Sequence, residues 1–272
     1  MLECVVNLSE GRDGARLDAC VRAGGTDVLD VHTDAHHNRS VLTLVGEQAP
    51  RHVAEAAVAQ LDLRHHEGVH PRLGVVDVVP FVALGASSVA AASSVADAID
   101  ARNDFAHWLA GEHGVPCFLY GPERTLPDVR RHAFRSLSPD VGPARPHPTA
   151  GATAVGARPA LVAYNVWLEP PDLALARRIA SAVRGPSVRA LGLPVGARVQ
   201  VSMNLIDPAA CGPGDAYDLV ERTATSLGGR ADGAELVGLL PDAVLRAIDP
   251  TRWAALDLGP DRTVEARLAA RA

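Results

Sequence analysis

Apolar positions along the chain switch between strand and helix spacing in a regular order. Strand-like runs cover residues 3–8, 27–31 and 40–45. A helix-spaced stretch over about residues 10–23 separates the first two, with Ser9 placed to cap its start and Gly24-Gly25 to stop it. A second helix is expected over residues 50–61, where Val53, Ala56, Ala57 and Leu61 follow helical spacing. Residues 75–82 read as a buried strand, 87–112 as an Ala/Ser-rich helix and 117–120 as another strand. From 138 to 159, Pro and Gly recur so often that the chain is expected to be irregular. Beyond it come a strand at 160–168, a helix at 172–183, strands at 187–193 and 197–204, a helix at 215–227, a strand at 235–239, and short helical pieces from Pro241.

Each half therefore reads β-α-β-β-α-β. The expected fold class is α/β of the α+β type: two ferredoxin-like subdomains, residues 1–168 and 169–272, both with mixed sheets.

Composition narrows the function. At 272 residues, 47% hydrophobic and 21% charged, the chain can bury a sizeable core and is not a disordered polymer. A net charge of -6 argues against a nucleic-acid partner, which demands a basic footprint. All 26 basic residues are arginine, which removes Schiff-base, pyridoxal-phosphate and Walker-type chemistry, since each depends on lysine. Cys4, Cys20, Cys117 and Cys211 form no CxxC pair, so free buried thiols are expected. The opening Met1-Leu2-Glu3-Cys4 lacks a basic patch followed by a long apolar run, and Asp77 and Pro80 break the apolar stretch 75–96. No leader, no membrane partner and a cytoplasmic location are expected.

Candidate chemistry sits in the first half, where all eleven histidines lie. His66-Glu67-Gly68-Val69-His70 matches the HExxH pattern of zinc proteases, which works only on a helix. Gly68 and Pro71 disfavour one, so a loop delivering His70 and binding no metal is expected. Asp77, flanked by valines, must find a cationic partner or ligand. The turn from Asp30 to Ser40 is crowded with Asp, His, Asn and Arg. Small residues around Gly156 would let the backbone approach a flat ligand.

Together these segments resemble the formiminotransferase domain family of folate-dependent transferases. The likeness runs through Glu3-Cys4-Val5-Val6-Asn7-Leu8-Ser9-Glu10-Gly11-Arg12, His37-Asn38-Arg39-Ser40 and Asp62-Leu63-Arg64. It continues in His70-Pro71-Arg72-Leu73-Gly74 with Asp77, in Leu119-Tyr120-Gly121, in the Gly156–Asn165 stretch, and in Gln200-Val201-Ser202-Met203-Asn204-Leu205 and Glu235-Leu236-Val237-Gly238-Leu239. The resemblance implies two subdomains whose sheets enclose a groove, a homodimer, and transfer of a formimidoyl or formyl group between an N-substituted glutamate and tetrahydrofolate, as in histidine degradation. His70 matches the catalytic histidine, and Asp77 is assigned to orient the cationic group. Asn38, Arg39 and Arg72 are assigned to substrate. Gly156, Ala157, Arg158, Pro159, Ala160, Leu161, Val162, Ala163, Tyr164 and Asn165 match the folate-binding stretch, with tetrahydrofolate as co-substrate and no metal.

The chain departs from the family pattern at His32 and His36, where acids are usual, at Val69, where a Glu precedes the catalytic histidine, and in a shortened segment between Tyr120 and Gly151. Two other readings follow: a weakened homologue that binds folate or another ligand, and a metal-dependent hydrolase using the surplus histidines.

Overall fold

The computed structural model describes residues 1–69, 71–85 and 94–271. The chain divides into two compact units, Met1–Pro159 and Ala160–Ala272. The division falls before the join expected near Leu168, because the strand Val162–Glu169 pairs only with strands of the second unit.

The first unit runs β1 (Leu2–Leu8), α1 (Gly14–Gly24), β2 (Val28–Asp34), β3 (Arg39–Val45), α2 (Gln48–Gln60), β4 (Val76–Ala83), α3 (Val95–His113), β5 (Cys117–Tyr120), α4 (Leu126–His132) and β6 (Thr153–Ala157). Its sheet has the order β2-β3-β1-β4-β6-β5. The first four strands form the split arrangement read from the sequence, and β6 and β5 add two parallel pairings. α1 starts later than its spacing suggested. Glu10 Oε1 accepts the N–H groups of Gly11, Arg12 and Asp13 at 2.9, 2.8 and 2.9 Å, closing a tight loop where a first turn was expected. Asp13 caps the helix instead, and Ser9 donates to the Gly74 carbonyl. The expected start of the third helix at Ser87 lies outside the described residues; from Ser94 onward a capping box with Asp97 opens α3. The region taken as irregular contains β6, five buried residues paired between β4 and the edge strand β5.

The second unit runs β7 (Val162–Glu169), α5 (Leu173–Val183), β8 (Val188–Val195), β9 (Arg198–Leu205), α6 (Pro213–Ser226), β10 (Arg230–Val237), α7 (Asp242–Arg246) and α8 (Val264–Ala269). Its sheet, β10-β7-β9-β8, is antiparallel throughout rather than mixed. The split arrangement explains this. Strands joined through a helix run the same way but are never neighbours, so every adjacent pair is antiparallel.

Period-two alternation decides what each sheet buries. In β7, Val162, Tyr164, Val166 and Leu168 enter the core with Leu175, Ile179 and Val220, while Ala163, Asn165 and Trp167 face the other way. In β1, Cys4, Val6 and Leu8 are core residues. Glu3, Val5 and Asn7 take the opposite face, which leads to the candidate site.

Candidate active site

Arg39, the first residue of β3, lies between two strands. Its Nη2 donates to Asn7 Oδ1 on β1 and its Nη1 to Asp77 Oδ2 on β4, both at 2.7 Å. Arg130 reaches the same carboxylate from α4, with Nη2 donating to Oδ2 at 2.6 Å and Nη1 to Oδ1 at 3.2 Å. The Leu73 N–H adds a third donor at 2.7 Å. Asp77 is completely buried. Burial pushes its carboxyl pKa up, but the charges of Arg39 and Arg130 outweigh this and hold it below the usual carboxylate range. Burial lowers the Arg39 pKa against the pull of Asp77, with Arg130 adding to the lowering. One carboxylate thus serves two guanidinium groups, and the cluster carries net positive charge.

Asp77 was expected to orient a cationic substrate directly. Its buried oxygens hold Arg39, Arg130 and the Leu73 backbone N–H instead. Arg130 was not among the expected site residues. It lies in the segment read as shortened between Tyr120 and Gly151, and the legible signal there is the Thr125/Asp128 capping box that opens α4.

The β2–β3 hairpin positions Asn38. Asp34 Oδ1 accepts the N–H groups of His36 and His37 at 2.7 and 2.9 Å, and its Oδ2 meets His37 Nδ1 at 2.7 Å. Partial burial raises the Asp34 pKa, but the His37 and His36 bonds outweigh it and hold the carboxyl below its usual range. Asn38 then adopts left-handed backbone, φ 49°, a conformation asparagine tolerates. Its Oδ1 accepts the Gly11 N–H and its Nδ2 donates to the Glu67 carbonyl, both at 2.9 Å. Arg72 donates from Nη1 to the His66 carbonyl at 3.4 Å and from Nη2 to the Gly68 carbonyl.

Residues 66–69 are not helical, as Gly68 and Pro71 suggested. His70 itself lies outside the described residues. Among the described residues no group of three or more His, Cys, Asp or Glu side chains could hold a metal.

The Gly156–Asn165 stretch crosses the division between the units. Gly156 and Ala157 belong to β6, and the ring of Tyr120 fills the space over Gly156 that was expected to admit a ligand. Burial pushes the Tyr120 phenol up to about 12, with the positive charge of Arg158 opposing the rise. Val162 and Tyr164 do not offer side chains to a cofactor. Both are core residues, and Tyr164 Oη donates to the Leu256 carbonyl at 2.8 Å. Asn165 donates to Glu235 Oε2 at 2.9 Å. Pro159 is exposed, and Arg158, Ala160, Leu161 and Ala163 are half-buried.

The chain as a whole is similar to known proteins. Residues 1–158 match the family described as formiminotransferase domain, N-terminal subdomain. A glutamate formimidoyltransferase of Streptococcus pyogenes is 33% identical over 276 residues, covering 90% of each chain. A glutamate formimidoyltransferase of Thermoplasma acidophilum is 33% identical over 278 residues, covering 90% of this chain and 89% of its own. The formimidoyltransferase-cyclodeaminase of Dictyostelium discoideum is 31% identical, and the match spans 52% of that longer protein.

Proposed function

The chain belongs to the formiminotransferase domain family, and from that premise we propose that it moves a formimidoyl group from N-formimidoylglutamate to tetrahydrofolate. The observation that carries the substrate side of this reading is the basic cluster. Arg39 and Arg130 share one buried carboxylate. Such a surplus of guanidinium in a chain of net charge -6 suits the carboxylates of a glutamate derivative. Arg158 and the accessible parts of residues 158–163 are the groups best placed to meet folate.

In this reading N5 of tetrahydrofolate attacks the formimidoyl carbon, forming a C–N bond. His70, matched to the family's catalytic histidine, takes the N5 proton and returns one to the glutamate nitrogen. The old C–N bond then breaks, releasing glutamate and 5-formimidoyltetrahydrofolate. The same reading places the protein in the cytoplasm, in histidine degradation, as a metal-free homodimer with small-molecule partners. Val69, 55% exposed where the family pattern has a glutamate next to that histidine, favours the alternative of a weakened, ligand-binding homologue.

The test is steady-state transfer from N-formimidoylglutamate and, separately, N-formylglutamate, paired with calorimetric titration of tetrahydrofolate. Turnover with the formimidoyl donor supports the proposal. Folate binding without turnover of either donor supports the weakened homologue.

A further inference from the structure

Three successive backbone carbonyls in the loop before His70 are each met by a side chain, two by Arg72 further along the same loop and one by Asn38 in the β2–β3 hairpin. Arg72 takes the carbonyls of His66 and Gly68, and Asn38 takes that of Glu67 between them. A loop without regular structure leaves such groups to water, because no ladder or helix pairs them. Here they are bonded within the protein.

The attachment is reinforced from the other side. His66 Nε2 lies 2.9 Å from the Asn38 carbonyl oxygen, so Asn38 meets the loop through both side chain and backbone. A Cβ at Gly68 would stand 2.5 Å from the His37 carbonyl oxygen and 3.0 Å from the Asn38 Cβ, so the loop backbone presses directly on the hairpin turn. Asn38 is only 7% exposed, and its amide oxygen is bonded to Gly11. That leaves little of it for a substrate.

We infer that Asn38 and Arg72 are positioning residues for the transfer reaction: together they fix the backbone of residues 66–68, and through it the segment that carries His70, instead of contacting substrate. The inference rests on the proposed reaction for its kinetic consequence and on the hydrogen bonds alone for its structural one. Proton transfer demands placement of the base to a fraction of an ångström, so loosening this segment costs turnover more than affinity.

Three variants of the full chain test it. Asn38→Asp keeps the acceptor for Gly11 and loses the donor to Glu67. Asn38→Gly keeps the left-handed backbone without strain and loses both bonds. Arg72→Gln removes the two guanidinium donors. Each is expected to lower kcat by about 10- to 100-fold, with KM for both substrates within about two-fold of wild type. The midpoint of the pH dependence of kcat/KM is expected to move, because the base changes surroundings; loss of folded protein alone would lower the amplitude and leave the midpoint. Asn38→Gly combined with Arg72→Gln should be little worse than the poorer single variant, since both secure one segment. A KM rise of about ten-fold with kcat unchanged, the signature of lost ground-state binding, overturns the inference in favour of substrate contact. An unmoved pH midpoint also overturns it. Amide hydrogen exchange over residues 66–73 separates this inference from the proposed reaction: it should accelerate in Asn38→Gly whatever the enzyme transfers. Unchanged exchange defeats the inference, and faster exchange in a protein without transfer activity defeats only the reaction.

Discussion

A Cβ at position 156 would lie 2.1 Å from Cζ of the Tyr120 ring, so the phenol occupies the space that a side chain on β6 would need. Gly156 is there for packing between neighbouring strands, β5 and β6, paired Tyr120 to Gly156. Gly156→Ala is expected to destabilise the first unit by roughly 1–3 kcal/mol, the cost of overpacking a filled core. Thermal melting monitored by circular dichroism checks this, and an unchanged midpoint would show that the ring can move aside.

Asp77 neutralises part of the charge of Arg39 and Arg130. Removing it leaves two half-buried guanidinium groups without that counter-charge, so Asp77→Ala should cost about 3–5 kcal/mol, as for other broken buried pairs. The pH dependence follows from the direction of its shift. Its folded carboxyl pKa is depressed, so its contribution is present above the unfolded value of about 4 and is lost as pH falls through the folded value. The stability gap between wild type and Asp77→Asn, measured by urea unfolding, should therefore be constant at neutral pH and narrow below pH about 4.

Arg102 on α3 is buried, with Nη1 and Nη2 donating to the two carboxylate oxygens of Glu123 at 2.7 and 2.8 Å and Nη1 to the Tyr120 carbonyl at 3.1 Å. This fork ties the turn after β5 to α3. A lysine supplies the charge without the fork, so Arg102→Lys is expected to lose about 1.5–3 kcal/mol, the worth of a charged hydrogen bond. Chemical denaturation measures the loss; full stability would show that charge alone suffices there.

The two split β-α-β patterns were legible because hydrophobic periodicity reports which side of an element is buried. Elements whose cause lies elsewhere were not. β6 was hidden because Thr153-Ala154-Val155-Gly156-Ala157 sits among Pro and Gly and owes its strand to pairing with β4 and β5. The delayed start of α1 depends on Glu10 folding back on three N–H groups, a local competition that spacing does not register. Within the site, Asp77 was visible as a buried acid in need of a cationic partner, and Arg39 as an arginine suited to a substrate carboxylate. Their third member was not, because Arg130 lies 53 residues beyond Asp77 on a helix of about two turns, and only the fold brings the two together. Asn38 and Arg72 were visible as polar residues in loops. That their donors are spent on carbonyls 66–68 is a fact of tertiary structure.

The HExxH pattern makes a prediction about metals. With residues 66–69 non-helical and His66 Nε2 engaged at Asn38, the protein purified without an affinity tag should carry less than about 0.1 equivalent of zinc. Incubation with 1,10-phenanthroline should leave its activity unchanged. Elemental analysis settles the first point, and one equivalent of tightly held zinc would reopen the hydrolase reading.

His70 is expected to move the protons in a one-carbon transfer to tetrahydrofolate. The most direct measurement is transfer from N-formimidoylglutamate by wild type and His70→Ala, with tetrahydrofolate affinity determined by calorimetry for both. Wild type should turn over and His70→Ala should not, with tetrahydrofolate affinities that agree within about three-fold, under about 0.7 kcal/mol. Full turnover by His70→Ala would contradict it.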